Sequence, residues 1–239
     1  MAAGQSALVL SSAFFCSIIY SMIFGIFLCF LPLIFLVVIF SVTKKLRLSH
    51  QVLAVVLGLA AVIPISLIQF FIPDFSGFFR SPVLYSILKC LLLYGLIEEC
   101  LKAAFILPLP CKNCTCFQFL LLSFVFGLAL GCFESVVYFF DHLQKAWNRG
   151  AQLLFFPIFL RIFTADVIHL ACAGLGGLFV WSCRTKSRPS ILITTVLIHG
   201  FYDFFAGFTG PLRWFSAAVI LLAVAECRIK YVSLQNDGK

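Results

Sequence analysis

The chain has 239 residues, 63% of them hydrophobic and 11% charged, with 30 phenylalanines and a formal net charge of +8. No soluble core needs that much apolar surface, and apolar runs without period-two alternation exclude a membrane β-barrel. The basic residues sit where apolar runs end, so the charge is read as membrane topology and not as affinity for nucleic acid.

Met1 to Ala7 holds no Lys or Arg, which argues against a cleaved secretory signal and its basic leading region. From Ala7 to Val42, 36 residues pass without a charge. That is more than one ordinary span requires at about 1.5 Å per residue across about 30 Å of hydrocarbon. The stretch reads as one long helix kinked near Gly25 and Pro32 or as two helices with a tight turn; because a turn in lipid would strand backbone groups, the expectation is one principal span, roughly Ser21 to Val42, preceded by a shorter helix. After the loop KKLRLSHQ come Val52 to Ile72, Val83 to Leu107, Phe117 to Phe140, Leu153 to Trp181, Ile191 to Phe208 and Trp214 to Cys227. The fold class is therefore all-α: a polytopic transmembrane bundle of seven spans, or eight if the first stretch divides. It forms one integral-membrane domain over residues 1–239, with its core motifs in 94–208.

Alternating loops place Lys44, Lys45, Arg47, Lys112, Arg184, Lys186, Arg188, Arg228, Lys230 and Lys239 on one side. Arg80, Lys145, Arg149 and Arg213 fall on the other. The positive-inside rule makes the first side, with the C-terminus, cytoplasmic. No internal repeat is evident, which weakens a two-fold transporter architecture. Cys111, Cys114 and Cys116 form the one cysteine cluster; a small metal or acylation site is weighed there against plain reduced thiols.

Glu98, Glu99, Glu134, Asp166 and Asp203, with His169 and His199, fall inside predicted spans. A carboxylate at a helix centre opposes insertion by about 2.5 to 3.5 kcal/mol, so several together imply a shared polar interior. In LIEECLKAAF, consecutive residues diverge by about 100°, so Glu98 and Glu99 are not expected to point at one spot. Lys102 follows Glu98 by four residues and Glu99 by three, and can neutralise whichever is free. Its bland alternative is a stapling ion pair. In FGLALGCFESVVYFF, Glu134 has Tyr138 one turn later, and Gly127 and Gly131 form a small-residue face. Alone, Glu134 reads equally as a hydrogen-bonded core residue and His169 as a packing residue. Arg161 and Asp166 are read as structural. His199 and Asp203 are an i, i+4 pair, the arrangement that orients both general bases and metal-bound histidines. Together these groups suit a pocket that activates water directly or through a metal, with Glu134, His169 and His199 as candidate ligands.

These motifs resemble a known family. EExxK at Glu98 to Lys102, FG and then ExxxY at Phe126 to Tyr138, His169 preceded by Arg161, and HGxYD at His199 to Asp203 are similar, in this order, to PrsW-type intramembrane proteases. That family lies within the superfamily of CAAX prenyl-protein endopeptidases and bacteriocin-processing enzymes, and the resemblance covers about Val52 to Phe208. It implies an endopeptidase acting on a membrane-associated protein, such as an anti-sigma factor, in a bacterial cytoplasmic membrane. The implied catalytic set is Glu98, Glu99, Glu134, His169 and His199, supported by Lys102, Tyr138 and Asp203. The implied cofactor is zinc or another divalent metal, or none if a glutamate alone activates water. Leu130 departs conservatively from an FxxxE pattern, and the CAAX enzymes carry histidine where this chain has Glu134, so preference for prenylated ends is not carried over. The competing readings are a non-catalytic heptahelical scaffold subunit of a protease complex, an ion-coupled transporter, which would show gradient-dependent flux, and, more weakly, a lipid-modifying transferase.

Overall fold

In the computed structural model, which describes residues 2–110, 112, 114–146, 151–184 and 186–236, regular structure is entirely helical. In chain order these helices are α1 (Ala2–Val42), α2 (Leu48–Phe71), α3 (Pro82–Lys89) and α4 (Glu98–Ile106), followed by α5 (Cys116–Ala146), α6 (Ala151–Phe163), α7 (Ala165–Ser182), α8 (Pro189–Ala206) and α9 (Trp214–Asn236). A π-wound segment, Cys90–Ile97, joins α3 to α4. Cys111, Arg149 and Lys239, used in the sequence reading, lie outside the described residues.

Three predicted elements change form. The first stretch is one helix of 41 residues running through Pro32, not a short helix followed by a span. An uncapped apolar run in lipid keeps its backbone bonds within itself, so nothing favours a break there. The stretch Leu153 to Trp181 is divided at Thr164, whose φ of −122° and ψ of −78° leave the helical region between α6 and α7. The last helix runs beyond Cys227 to Asn236.

Five helical stretches among the described residues are long and apolar enough to cross a membrane: Ile19–Val42, Leu48–Phe71, Cys116–Leu143, Phe155–Ser182 and Pro189–Ala206. Two predicted spans fall outside this set: Val83 to Leu107, which is divided into α3, the π-wound segment and α4 and carries Lys89, Glu98, Glu99 and Lys102, and the last helix, on which Glu226, Arg228 and Lys230 lie close together.

The most extensive packing joins α5 to α7, and their approach is set by small residues. A Cβ added to Gly127 would collide with the Ala173 side chain and the His169 carbonyl, so α5 closes on α7 at backbone distance. One apolar core links α1, α2, α4, α5 and α7, with Ile65, Ile106, Phe126 and Leu130 fully buried. A second links α7, α8 and α9 through Ile168, Leu175, Ile198 and Ala223. The polar residues lie between the two cores.

Candidate active site

The carboxylates reach this seam because of how their helix is wound. Over Cys90–Ile97 the bonds lengthen to the i→i+5 pattern, a form often found beside functional groups. The wide turn lies against α8 through two glycines. A Cβ on Gly95 would strike the Val196 carbonyl, and one on Gly200 would meet the Leu91 backbone. That contact sets the first turn of α4, with Glu98 and Glu99, against His199.

Glu98, Glu99, Lys102, His169 and His199 are all buried, Lys102 completely. The Lys102 ammonium lies 2.8 Å from Glu98 Oε1, 2.8 Å from Glu99 Oε1 and 3.0 Å from His169 Nδ1. The two imidazoles meet edge to face at 5.2 Å between centroids. Each turns one nitrogen to a carboxylate and the other towards Glu98. His199 Nδ1 is 2.6 Å from Glu99 Oε1, and its Nε2 is 3.7 Å from Glu98 Oε1. His169 Nε2 is 2.8 Å from Glu134 Oε2, and its Nδ1 is 3.4 Å from Glu98 Oε1. Carboxylates accept, so this network assigns N–H to His199 Nδ1 and His169 Nε2; the Nδ1 lone pair of His169 accepts from the Lys102 ammonium, and that of His199 Nε2 faces Glu98.

The geometry revises three parts of the sequence reading. Glu98 and Glu99 do meet at one spot, because their long side chains bend from neighbouring positions to the same ammonium. Asp203 does not make the short orienting bond to His199. Its Oδ2 is 3.5 Å from Nε2, and Glu99, a hundred residues away in the chain, takes the opposite nitrogen. Glu134 is distinct from the group of ligand atoms close enough to share one ion. That group is Glu98, His169 and His199, whose ligand atoms lie within 4.8 Å of one another. Glu134 approaches His169 from the far nitrogen, where it orients the ring as a carboxylate behind a metal-bound histidine does.

The donor set suits a metal. Glu98 Oε1 is buried and ringed by three nitrogens, yet it receives no hydrogen bond of good geometry. Its separations from the two imidazoles, 3.4 and 3.7 Å, equal or slightly exceed the roughly 3.4 Å between neighbouring ligands expected from zinc–ligand distances. Three protein ligands with one open position is the catalytic pattern. The surrounding charge also favours a cation: the carboxyl groups of Glu98, Glu99, Glu134, Asp141 and Asp203 outnumber Lys102 and Arg161.

Glu98, Glu134, Asp203, His169 and His199 border a cavity of about 520 Å³ lined also by Ser66, Gln69, Tyr94 and Tyr202. Tyr138 lines it, with the Arg161 guanidinium 4.7 Å over its ring. Arg161 also donates to Ser135 Oγ at 3.2 Å, and Ser135 donates to Asp166 Oδ1 at 2.8 Å. Thus Asp166 is a buried bracing residue as expected, whereas Arg161, also read as structural, reaches the cavity wall. The signal for it was present: Arg161 is a cation in an apolar helix, facing a span with both Glu134 and Tyr138. Gln69 and Tyr94 carried no comparable signal. Cys114 and Cys116 are free thiols remote from the ligand group.

No curated protein and no solved structure matches the chain. The profile described as PrsW family intramembrane metalloprotease matches residues 47–226, a stretch that contains every group of the buried cluster. With that match over most of its length, the chain belongs to the PrsW family of intramembrane metalloproteases.

Proposed function

We propose that this protein hydrolyses a peptide bond of a membrane-associated protein, with Glu98 as the general base. The observation that carries the reading is the position of Glu98 Oε1, which is buried, short of hydrogen bonds and faced by nitrogens of Lys102, His169 and His199. Glu98, His169 and His199 would hold the metal, which when bound supplies Lewis acidity and makes its water easier to deprotonate.

With Oε1 turned to the histidines, Glu98 takes the proton of the attacking water on its other carboxylate oxygen and returns it to the leaving amine nitrogen, so that one carboxyl group serves both halves of the reaction. Lys102 offsets the negative charge of Glu98 and Glu99 in a medium where unpaired charge is costly. Glu99 and Glu134 hold the two imidazole rings in place. Tyr138 and Arg161, on the cavity wall, are the donors available to the developing oxyanion.

In this reading the whole chain is one peptidase domain. It crosses the membrane seven times, counting α3 to α4 as one rod and α6 to α7 as another, with a cytoplasmic C-terminus in a bacterial cytoplasmic membrane. A membrane-anchored regulator of the anti-sigma type is the substrate class proposed. The test is cleavage of a membrane-anchored reporter by the purified, reconstituted protein and by Glu98→Gln, His169→Ala and His199→Ala, with metal content measured on each. Loss of cutting in all three, with reduced bound metal in the histidine variants, is expected. Full activity in all three would overturn the mechanism and leave a polar-stapled scaffold.

A further inference from the structure

A second and larger recess adjoins the polar cavity. It has a volume of about 760 Å³, and Gln69 and Tyr94 line both spaces. Its walls are mostly apolar, with Leu88, Leu92, Leu93 and Ile97 on the rod from α3 to α4 and Phe75 and Phe78 on the connection from α2, although Asp74, Tyr85 and Lys89 also line it. Leu88 and Ile97 are nine positions apart, which in an α-helix places them on opposite sides at about 100° per residue. The π-wound turn between them slows that rotation and brings both into one wall, which ends beside Glu98. Phe78 and Leu92 are exposed on the open side of the groove.

The junction is polar and the groove is mostly apolar. A polypeptide near its scissile bond has to be extended, and its backbone groups need partners where water is scarce. Gln69 offers an amide and Tyr94 a hydroxyl at the point where the two spaces meet, while the groove beyond has room for several bulky side chains. A lipid tail would need no such polar pair. Resting on the peptidase reading above, we infer that this groove binds consecutive bulky apolar side chains on one side of the scissile bond, with Gln69 and Tyr94 holding the substrate backbone as it enters the cavity.

The probe is a lysine-flanked peptide library with randomised central residues, offered to the full chain in nanodiscs. Cleavage sites are mapped by mass spectrometry, and a photoreactive residue at position 92 reports what occupies the groove. Leucine and phenylalanine are expected to be enriched on one side of the cuts. The double variant Phe78→Ala with Leu92→Ala should lower kcat/KM about tenfold for peptides with large apolar residues there, and leave alanine-containing peptides unchanged. A fall that is equal for both peptide classes would indicate general damage and would overturn the inference. So would cutting without side preference, or crosslinks to phospholipid alone; either would leave the peptidase reading intact. Saturable peptide crosslinking at position 92 without any cleavage would do the reverse, keeping the groove and removing the peptidase. Absence of both would remove both.

Discussion

Helix α5 and helix α1 are both long apolar helices, and they relate to their surroundings in opposite ways. The span Cys116–Leu143 has a mean hydropathy of 2.2 and is 72% buried, whereas Ile19–Val42 reaches 3.1 and is 22% buried. In water the more apolar segment would lie inside. In a bilayer the outer face meets hydrocarbon as greasy as itself, so lipid-facing positions are uniformly apolar and the interior takes small residues and paired polar groups. Of these two helices, the buried one contributes Glu134 and Tyr138 to the cavity, and α1, among the described residues, contributes no lining residue.

The sharpest way to break that comparison is to remove the central base. Glu98→Gln is expected to lower kcat by about a thousandfold or more, whereas Phe35→Ala on the exposed face of α1 should leave it unchanged in the same reporter assay. Glu134→Gln keeps the shape and loses the charge behind His169. A loss of about ten- to a hundredfold in activity or metal affinity should follow, measured by cleavage and by competition with a chelator. Gly127→Ala forces a methyl group between α5 and α7 and should destabilise the fold by about 1 to 3 kcal/mol. Leu31→Ala on the exposed side of α1 should stay within about 0.5 kcal/mol, both read by denaturation in mixed micelles.

The smallest effect lies outside the bundle. On the connection between α2 and α3, the Tyr85 hydroxyl, and then the backbone N–H and hydroxyl of Ser76, hold the Asp74 carboxyl below its usual range. A depressed value means the charged clasp is complete at neutral pH and opens only as pH falls through a midpoint below about 3.9. An NMR titration of labelled Asp74 should show that midpoint, and Tyr85→Phe should move it up. A wild-type midpoint at or above the ordinary value would contradict the clasp.

Much of the site was legible because intramembrane charge is costly enough to be meaningful. Glu98, Glu99, Lys102, His169 and His199 stand out in apolar runs, and they are the groups that meet. Their pairing was less legible. The spacing of His199 and Asp203 suggested an orienting bond, but Asp203 stays 3.5 Å from Nε2, and Glu99, from another helix, holds the ring through Nδ1 at 2.6 Å. Helical spacing describes neighbours on one helix and is silent on competitors from another. The π winding at Cys90–Ile97 was hidden for a similar reason: CLLLYGLI reads as ordinary apolar helix, and its widening accompanies the backbone contact with Gly200.

What the sequence alone determined was the solvent and the secondary structure: apolar runs of this length belong in lipid, and lipid leaves the backbone no alternative to helices. It also determined which side chains cannot face that lipid. The tertiary structure decided which nitrogen meets which carboxylate, that Glu98 and not Glu134 lies with the histidines in a group close enough to share one ion, and that a mostly apolar groove opens beside them. Those outcomes depend on how helices distant in the chain approach one another, and that approach is set by side-chain volume at crossing points, which no one-dimensional pattern records.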